Sequence, residues 1–137
     1  MTAHLSSVPI TELIVGAELP PLRLPPISRT TLALFAGASG DHNPIHIDID
    51  AARAAGLDDV FAHGMLAMAY LGRLLTNWVA QERIQTLTAR FVAITPVGAE
   101  PTCTGRVVRI ADGLATVEFA LTLADGTTTV TGEATLS

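Results

Sequence analysis

The sequence predicts an α+β domain in which an antiparallel sheet curls around one long apolar helix. Three observations predict it. An apolar run extends from Met65 to Val79; four later segments are rich in valine, threonine and isoleucine; and Asp112-Gly113 and Asp125-Gly126 lie between the last three of those segments. Asp-Gly suits tight antiparallel hairpins, because both residues tolerate the positive φ such turns need.

The elements follow in chain order. Residues 1–19, which include His4, read as an irregular or weakly extended lead-in. Pro20-Pro21-Leu22-Arg23-Leu24-Pro25-Pro26 fits at most an edge strand, because proline offers no donor to a ladder. Ser28 stands at an N-cap ahead of Thr31, Leu32, Leu34, Phe35 and Ala38, which predicts a short helix ending near Gly40. A loop, Gly40-Asp41-His42-Asn43-Pro44-Ile45-His46, follows at once. Asp48 or Asp50 then caps a brief helix closed by Gly56, and Asp58-Asp59 makes a solvated turn. A second helix is expected to start at His63-Gly64 and run to about Val79, with apolar residues on nearly every face, as in a helix enclosed by other elements. The strands that would wrap it are Thr86–Ile94, Thr102–Ile110, Thr116–Leu123 and Thr128–Leu136. In the third, Val117, Phe119, Leu121 and Leu123 alternate with Glu118, Ala120 and Thr122, the period of a half-buried strand.

Composition narrows the function. The 137 residues suit one domain spanning 1–137, and 49% of them are hydrophobic against 15% charged. So apolar a chain is expected to bury surface against a second subunit. The net charge of -5 comes from 13 acidic residues against 8 arginines, with no lysine and no basic cluster, which argues against nucleic acid. The apolar run is shorter than the ~20 residues a membrane span needs and carries Arg73. No secretory or transit segment is evident and Cys103 has no partner for a disulfide, so the cytoplasm is the expected compartment.

The chemistry-bearing residues concentrate in the 40–46 loop. Asn43 is kept out of the helical region by Pro44, so the chain turns there, and Asp41 and His46 can converge on one water. A carboxylate and an imidazole so placed form an acid/base pair suited to hydration. The second element is His63-Gly64-Met65. The first N–H groups of a helix lack internal partners and lie at its positive end, and glycine leaves that N–H unshielded for a thioester carbonyl. Plainer readings stand beside each. Asp and His also form turns, Gly64 also lets a helix begin close to a sheet, and His63 also serves as a hydrogen-bonded helix-start residue. Asp41, His46, Asp48 and His63 are metal-ligand types, yet no HExxH or paired-cysteine spacing accompanies them.

Phe35-Ala36-Gly37-Ala38-Ser39-Gly40-Asp41-His42-Asn43-Pro44-Ile45-His46 and Ala62-His63-Gly64-Met65-Leu66, with Arg90-Phe91 and Pro96, resemble the signature of the MaoC-like (R)-specific enoyl-CoA hydratases and dehydratases. Within that family, the tract around Gly64 and Trp78 is most like the catalytic dehydratase subunit of mycobacterial type II fatty-acid synthesis. The resemblance implies a hot-dog fold and reversible syn addition of water to trans-2-enoyl thioesters, giving (R)-3-hydroxyacyl thioesters. It assigns Asp41 and His46 to water, the Gly64 N–H to the carbonyl, and Asn43 to support of the loop, with His63 and Met65 beside the substrate. It implies no metal or redox cofactor. The acyl group would arrive on coenzyme A or on acyl carrier protein, near small residues such as Ala67, Ala69 and Gly72. A homodimer, or a heterodimer with a related hot-dog chain, is expected. Two alternatives stay open: a hot-dog thioesterase, and a non-catalytic acyl-binding subunit of a heterodimeric dehydratase.

Overall fold

Ser28 stays extended, and its Oγ accepts from the Thr31 N–H at 3.0 Å, which starts helix α1 (Arg29–Ser39) where a cap was expected. The computed structural model describes residue 9 and residues 12–137, so His4 lies outside the described residues. Helix α1 stops at Gly40, whose φ of 77° is a left-handed conformation. A residue with a Cβ would hold that conformation at a cost of roughly 1–2 kcal/mol. Asp48, and not Asp50, caps helix α2 (Ile49–Ala54): its Oδ1 accepts from the Asp50 N–H at 2.9 Å.

Helix α3 (Gly64–Thr76) ends before the expected Val79. The Trp78 and Val79 N–H groups both turn to the Leu75 carbonyl, at 2.9 and 2.8 Å, so the last turn tightens and the regular ladder is lost. Strands β1 (Leu22–Arg23), β2 (Ile84–Phe91), β3 (Thr102–Ala111), β4 (Leu114–Thr122) and β5 (Thr128–Leu136) form one antiparallel sheet in the order β1-β3-β4-β5-β2. The proline-rich segment supplies only the two-residue edge strand β1. Strand β2 leaves the ladder at Phe91, short of Ile94, because the Val92 and Ala93 N–H groups both go to the Thr129 carbonyl. Asp112 and Gly113, at φ 54° and 74°, make the two-residue turn between β3 and β4. The Asp125-Gly126 hairpin is wider, closed by the Leu123 N–H on the Thr127 carbonyl at 2.8 Å.

Two apolar clusters flank α3. Ala67, Leu71, Leu74 and Leu75 pack toward the sheet with Val107, Val117, Leu121 and Val130. Leu66 packs the other way, with Ile27, Leu32, Ala52, Val60 and Ala62. Each fully buried leucine contributes about 1.5–3 kcal/mol, so α3 is fixed against the sheet. Cys103 lies in this core, and burial pushes its thiol up to about 12. Neighbouring strands crowd Gly132, where a Cβ would lie 2.7 Å from the Phe119 ring and 3.0 Å from the Ala89 Cα.

The described residues do not enclose α3 on every side. Met65 is 57% exposed, and Ala69 and Arg73, one and two turns on, are exposed as well. The apolar composition on that stripe therefore has no partner among the described residues. No helix among the described residues is long and apolar enough to cross a membrane.

Candidate active site

The loop between α1 and α2 is built by its own side chains. Asp41 follows the Gly40 cap directly; its N–H donates to Ser39 Oγ, and its Oδ1 accepts from the Asn43 N–H, both at 3.2 Å. Asn43 holds ψ at 121°, as the following proline requires, and its Oδ1 accepts from the Ile45 N–H at 3.2 Å. The turn it caps, Pro44–His46, is a single 3-10 turn that carries the His46 ring inward. His42 stays exposed.

His46 is 7% exposed, and its Nδ1 lies 2.8 Å from the Phe61 carbonyl oxygen. A carbonyl only accepts, so Nδ1 carries the proton and Nε2 keeps its lone pair. That Nε2 is 4.0 Å from Asp41 Oδ2, whose side chain is 49% exposed. The gap is too long for a direct hydrogen bond and lets one water reach both atoms at about 2.8 Å. With both hydrogens engaged by acceptors, such a water turns an oxygen lone pair outward. The pair can therefore orient a nucleophilic oxygen and take a proton from it.

Behind the pair lies His63. Its ring stacks on that of His46, with centroids 4.0 Å apart and planes at 26°, and meets the Phe35 ring edge-on at 4.8 Å. Its Nε2 is 3.2 Å from the Asp41 carbonyl oxygen. Burial first, and the neighbouring His46 second, push the His63 imidazole below its ordinary value, against the raising effect of Asp41. Only 1% of the residue is exposed. The substrate contact expected of His63 is therefore not open to its ring. Asp41, His46 and His63 each bring a ligand-type atom within 4.8 Å of the others. Two of the four ring nitrogens are turned to main-chain carbonyls, His46 Nδ1 to Phe61 and His63 Nε2 to Asp41. Asp48, also of ligand type, is spent on capping α2.

Gly64 follows His63 as the first residue of α3, so its N–H has no intrahelical carbonyl to reach. A Cβ built on it would lie 3.3 Å from two carbons of the Phe91 ring. Gly64, Phe61, Ala62, Ala67, Phe91 and Ile94 line a cleft of about 370 Å³. Its walls are apolar, and the buried Thr95 hydroxyl beside it is already committed to Thr129 Oγ1 at 2.8 Å. A larger depression, about 880 Å³, opens on the opposite face of the sheet among Arg90, Arg106, Glu118 and Glu133, away from the histidines. Met65 lies on the exposed stripe of α3 next to Gly64, Ala67 is spent on packing, and the space above Gly72 is open.

Three partners in this geometry went unforeseen. The Phe61 carbonyl that sets the His46 tautomer leaves no trace in a sequence. Neither does the face-on contact of His46 with His63. The place of Phe91 was accessible, since Leu87 and Ala89 on the same face of β2 pack against the core.

A hot-dog sheet around α3, with an Asp-His loop beside the start of that helix, defines a protein of the MaoC type. Residues 15–129 match the MaoC like domain family, and the chain belongs to it. The 3-hydroxyacyl-thioester dehydratase Z of Mycobacterium tuberculosis is 32% identical over 92 residues, which cover 63% of this chain and 61% of the relative. The chain thus spans less than two thirds of that relative's length. Among solved structures, the ChsH1-ChsH2 complex of M. tuberculosis contains a chain 30% identical at TM-score 0.82, covering 90% of this chain and 97% of that one. R-hydratase PhaJ1 of Pseudomonas aeruginosa is 26% identical at TM-score 0.83, over 93% of this chain and 83% of that one.

Proposed function

We propose that this chain catalyses reversible syn hydration of trans-2-enoyl thioesters to (R)-3-hydroxyacyl thioesters, the acyl group riding on coenzyme A or acyl carrier protein. The observation that carries the reading is the 4.0 Å gap between Asp41 Oδ2 and His46 Nε2, set against the ring of His63, whose neighbour in the chain, Gly64, opens α3. A water donating to both groups presents its oxygen to the β-carbon of the enoyl group. As the C–O bond forms, an O–H bond of the water breaks and its proton passes to the Asp41–His46 pair. Electron density moves from the double bond to the thioester oxygen, where the Gly64 N–H at the positive end of α3 stabilises it. The pair then returns the proton to the α-carbon on the same face, and the carbonyl re-forms. Run backward, the same steps expel water.

Asn43 serves by holding the turn, and Met65, exposed on α3 next to Gly64, is the residue an arriving acyl group would meet. Every step uses groups of the chain or the substrate, so no metal or redox cofactor is assigned. The names of the relatives, a 3-hydroxyacyl-thioester dehydratase and an R-hydratase, support this reaction class.

A second subunit is part of the proposal. Strand β2 lies at the sheet edge. Beside it Phe91, Val92, Ile94 and Met65 are each about half exposed, an apolar surface of the kind that a partner covers. The solved ChsH1-ChsH2 relative is a complex of two chains. Pairing along β2 would bring the partner against Phe91 and hence close to Gly64. A homodimer is the simplest form, and a related hot-dog chain could take the second place.

The test follows two signals from one mixture of the protein with a short trans-2-enoyl-CoA. Loss of the conjugated enoyl absorbance without release of free thiol is expected. Thiol release without hydration would make the chain a thioesterase and overturn the proposal.

A further inference from the structure

His63 is a buried imidazole that the proposed chemistry leaves unused. Its Nε2 faces the Asp41 carbonyl, an acceptor, so Nε2 carries the proton and Nδ1 is bare. Nδ1 is buried and has no hydrogen-bond partner among the described residues. An unpaired buried acceptor is unfavourable, so an apolar ring would fill this position at lower cost in stability. What the imidazole adds is its N–H and its flat face. The N–H ties the start of α3 to the main chain of Asp41, 22 residues earlier. The face lies against His46 at 4.0 Å and hinders that ring from turning.

We propose that His63 is a positioning residue: its Nε2–H holds the Asp41 main chain and its ring face holds His46, and together they set the gap across which the two groups share a water. It does so without touching substrate, being only 1% exposed. The proposal rests on the reading of Asp41 and His46 as the proton-handling pair. Burial and His46 both disfavour a charge on His63, which keeps the donor tautomer in place and adds no second positive charge when His46 takes a proton.

Two variants separate the roles. His63→Phe keeps a packed ring and deletes the N–H, whereas His63→Gln deletes the ring and returns an amide N–H near the Nε2 position. Displacements of about 1 Å can cost up to about 100-fold in rate. Accordingly, kcat for enoyl-CoA hydration is expected to fall about 10- to 100-fold in His63→Phe with KM little changed, and His63→Gln, which regains the N–H without the ring face, is expected to recover only part of it. An unchanged kcat in His63→Phe, which lacks the N–H, or a full recovery in His63→Gln, which lacks the ring face, would overturn the proposal. Nitrogen-15 NMR of the wild-type imidazoles tests the contact without any substrate. A neutral His63 with its proton on Nε2 is expected at pH 7, and a proton on Nδ1 overturns the proposal. Wild type inert toward enoyl thioesters would defeat the functional reading, while the NMR result would still decide the contact.

Discussion

Replacing Gly64 with alanine separates a catalytic role for its N–H from a packing role. The added Cβ would lie 3.3 Å from two carbons of the Phe91 ring and 3.4 Å from a third, a few tenths of an ångström tighter than ordinary contact. Phe91 is 51% exposed within the single chain, so nothing among the described residues of that chain pins its ring against a small shift. Alanine also exceeds glycine in helix propensity by about 1 kcal/mol in a helix interior, and by less at a first helical residue. The two effects oppose each other, and thermal stability is expected to stay within about 1 kcal/mol of wild type. Activity is expected to respond differently. The new methyl stands beside the N–H that the thioester oxygen must approach, and losing one oxyanion donor costs about 10²–10³ in kcat, or about 2.7–4 kcal/mol. Thermal melts give Tm, and loss of enoyl absorbance gives kcat and KM on the same preparation. An unchanged Tm with a turnover within about threefold of wild type would mean that the carbonyl is polarised elsewhere. A joint fall of both would make Gly64 a packing residue.

Asp41→Asn keeps an oxygen able to accept from the Asn43 N–H, so the loop should hold. Hydration is expected to fall about 10²–10⁴-fold, as loss of a general base requires, with an unchanged circular dichroism spectrum; near-normal turnover would remove Asp41 from the site. Gly132→Ala is expected to cost about 1–3 kcal/mol or more of stability, because the new Cβ meets the Thr88 carbonyl, the Phe119 ring and the Ala89 backbone. A chemical-denaturation midpoint equal to wild type would contradict the close packing there. His63 is held below its ordinary value of 6.5, so the unfolded chain takes up its proton first on acidification. Stability is therefore expected to be complete above about pH 6.5 and to decline as the pH falls below it, with His63→Phe removing that part of the decline. Asp59 is held below 3.8 mainly by its hydrogen bonds from Arg29. Its contribution is accordingly present above that pH and lost further into acid, and Asp59→Asn melts should lack that late loss.

The legible parts of the fold were those fixed by neighbours in the chain. Ser28, Gly40 and Asp48 mark helix ends through caps that span two to four residues. Asp112-Gly113 marks a turn because positive φ is needed at both positions. Asn43-Pro44 likewise turned the loop so that Asp41 and His46 face one another. Contacts between distant segments were not legible. Nothing near His46 announces the Phe61 carbonyl, and the stacked His63 ring depends on how α3 meets the loop. The apolar pattern of α3 was legible but incomplete as a guide. It marks residues that avoid water without saying whether the sheet, the small helices or another subunit covers them. Met65 and Ala69 belong to the uncovered stripe.

In the proposed reaction water and proton are handled from one side, because Asp41 and His46 both belong to the loop between α1 and α2 and share a single gap. Hydration of a trans-2-enoyl thioester in deuterated water tests this most directly, through the relative configuration of the new C–O and C–D bonds. The account predicts addition of both to the same face and an (R)-3-hydroxyacyl product. Addition to opposite faces would contradict it, since one group on each side of the double bond would then be required.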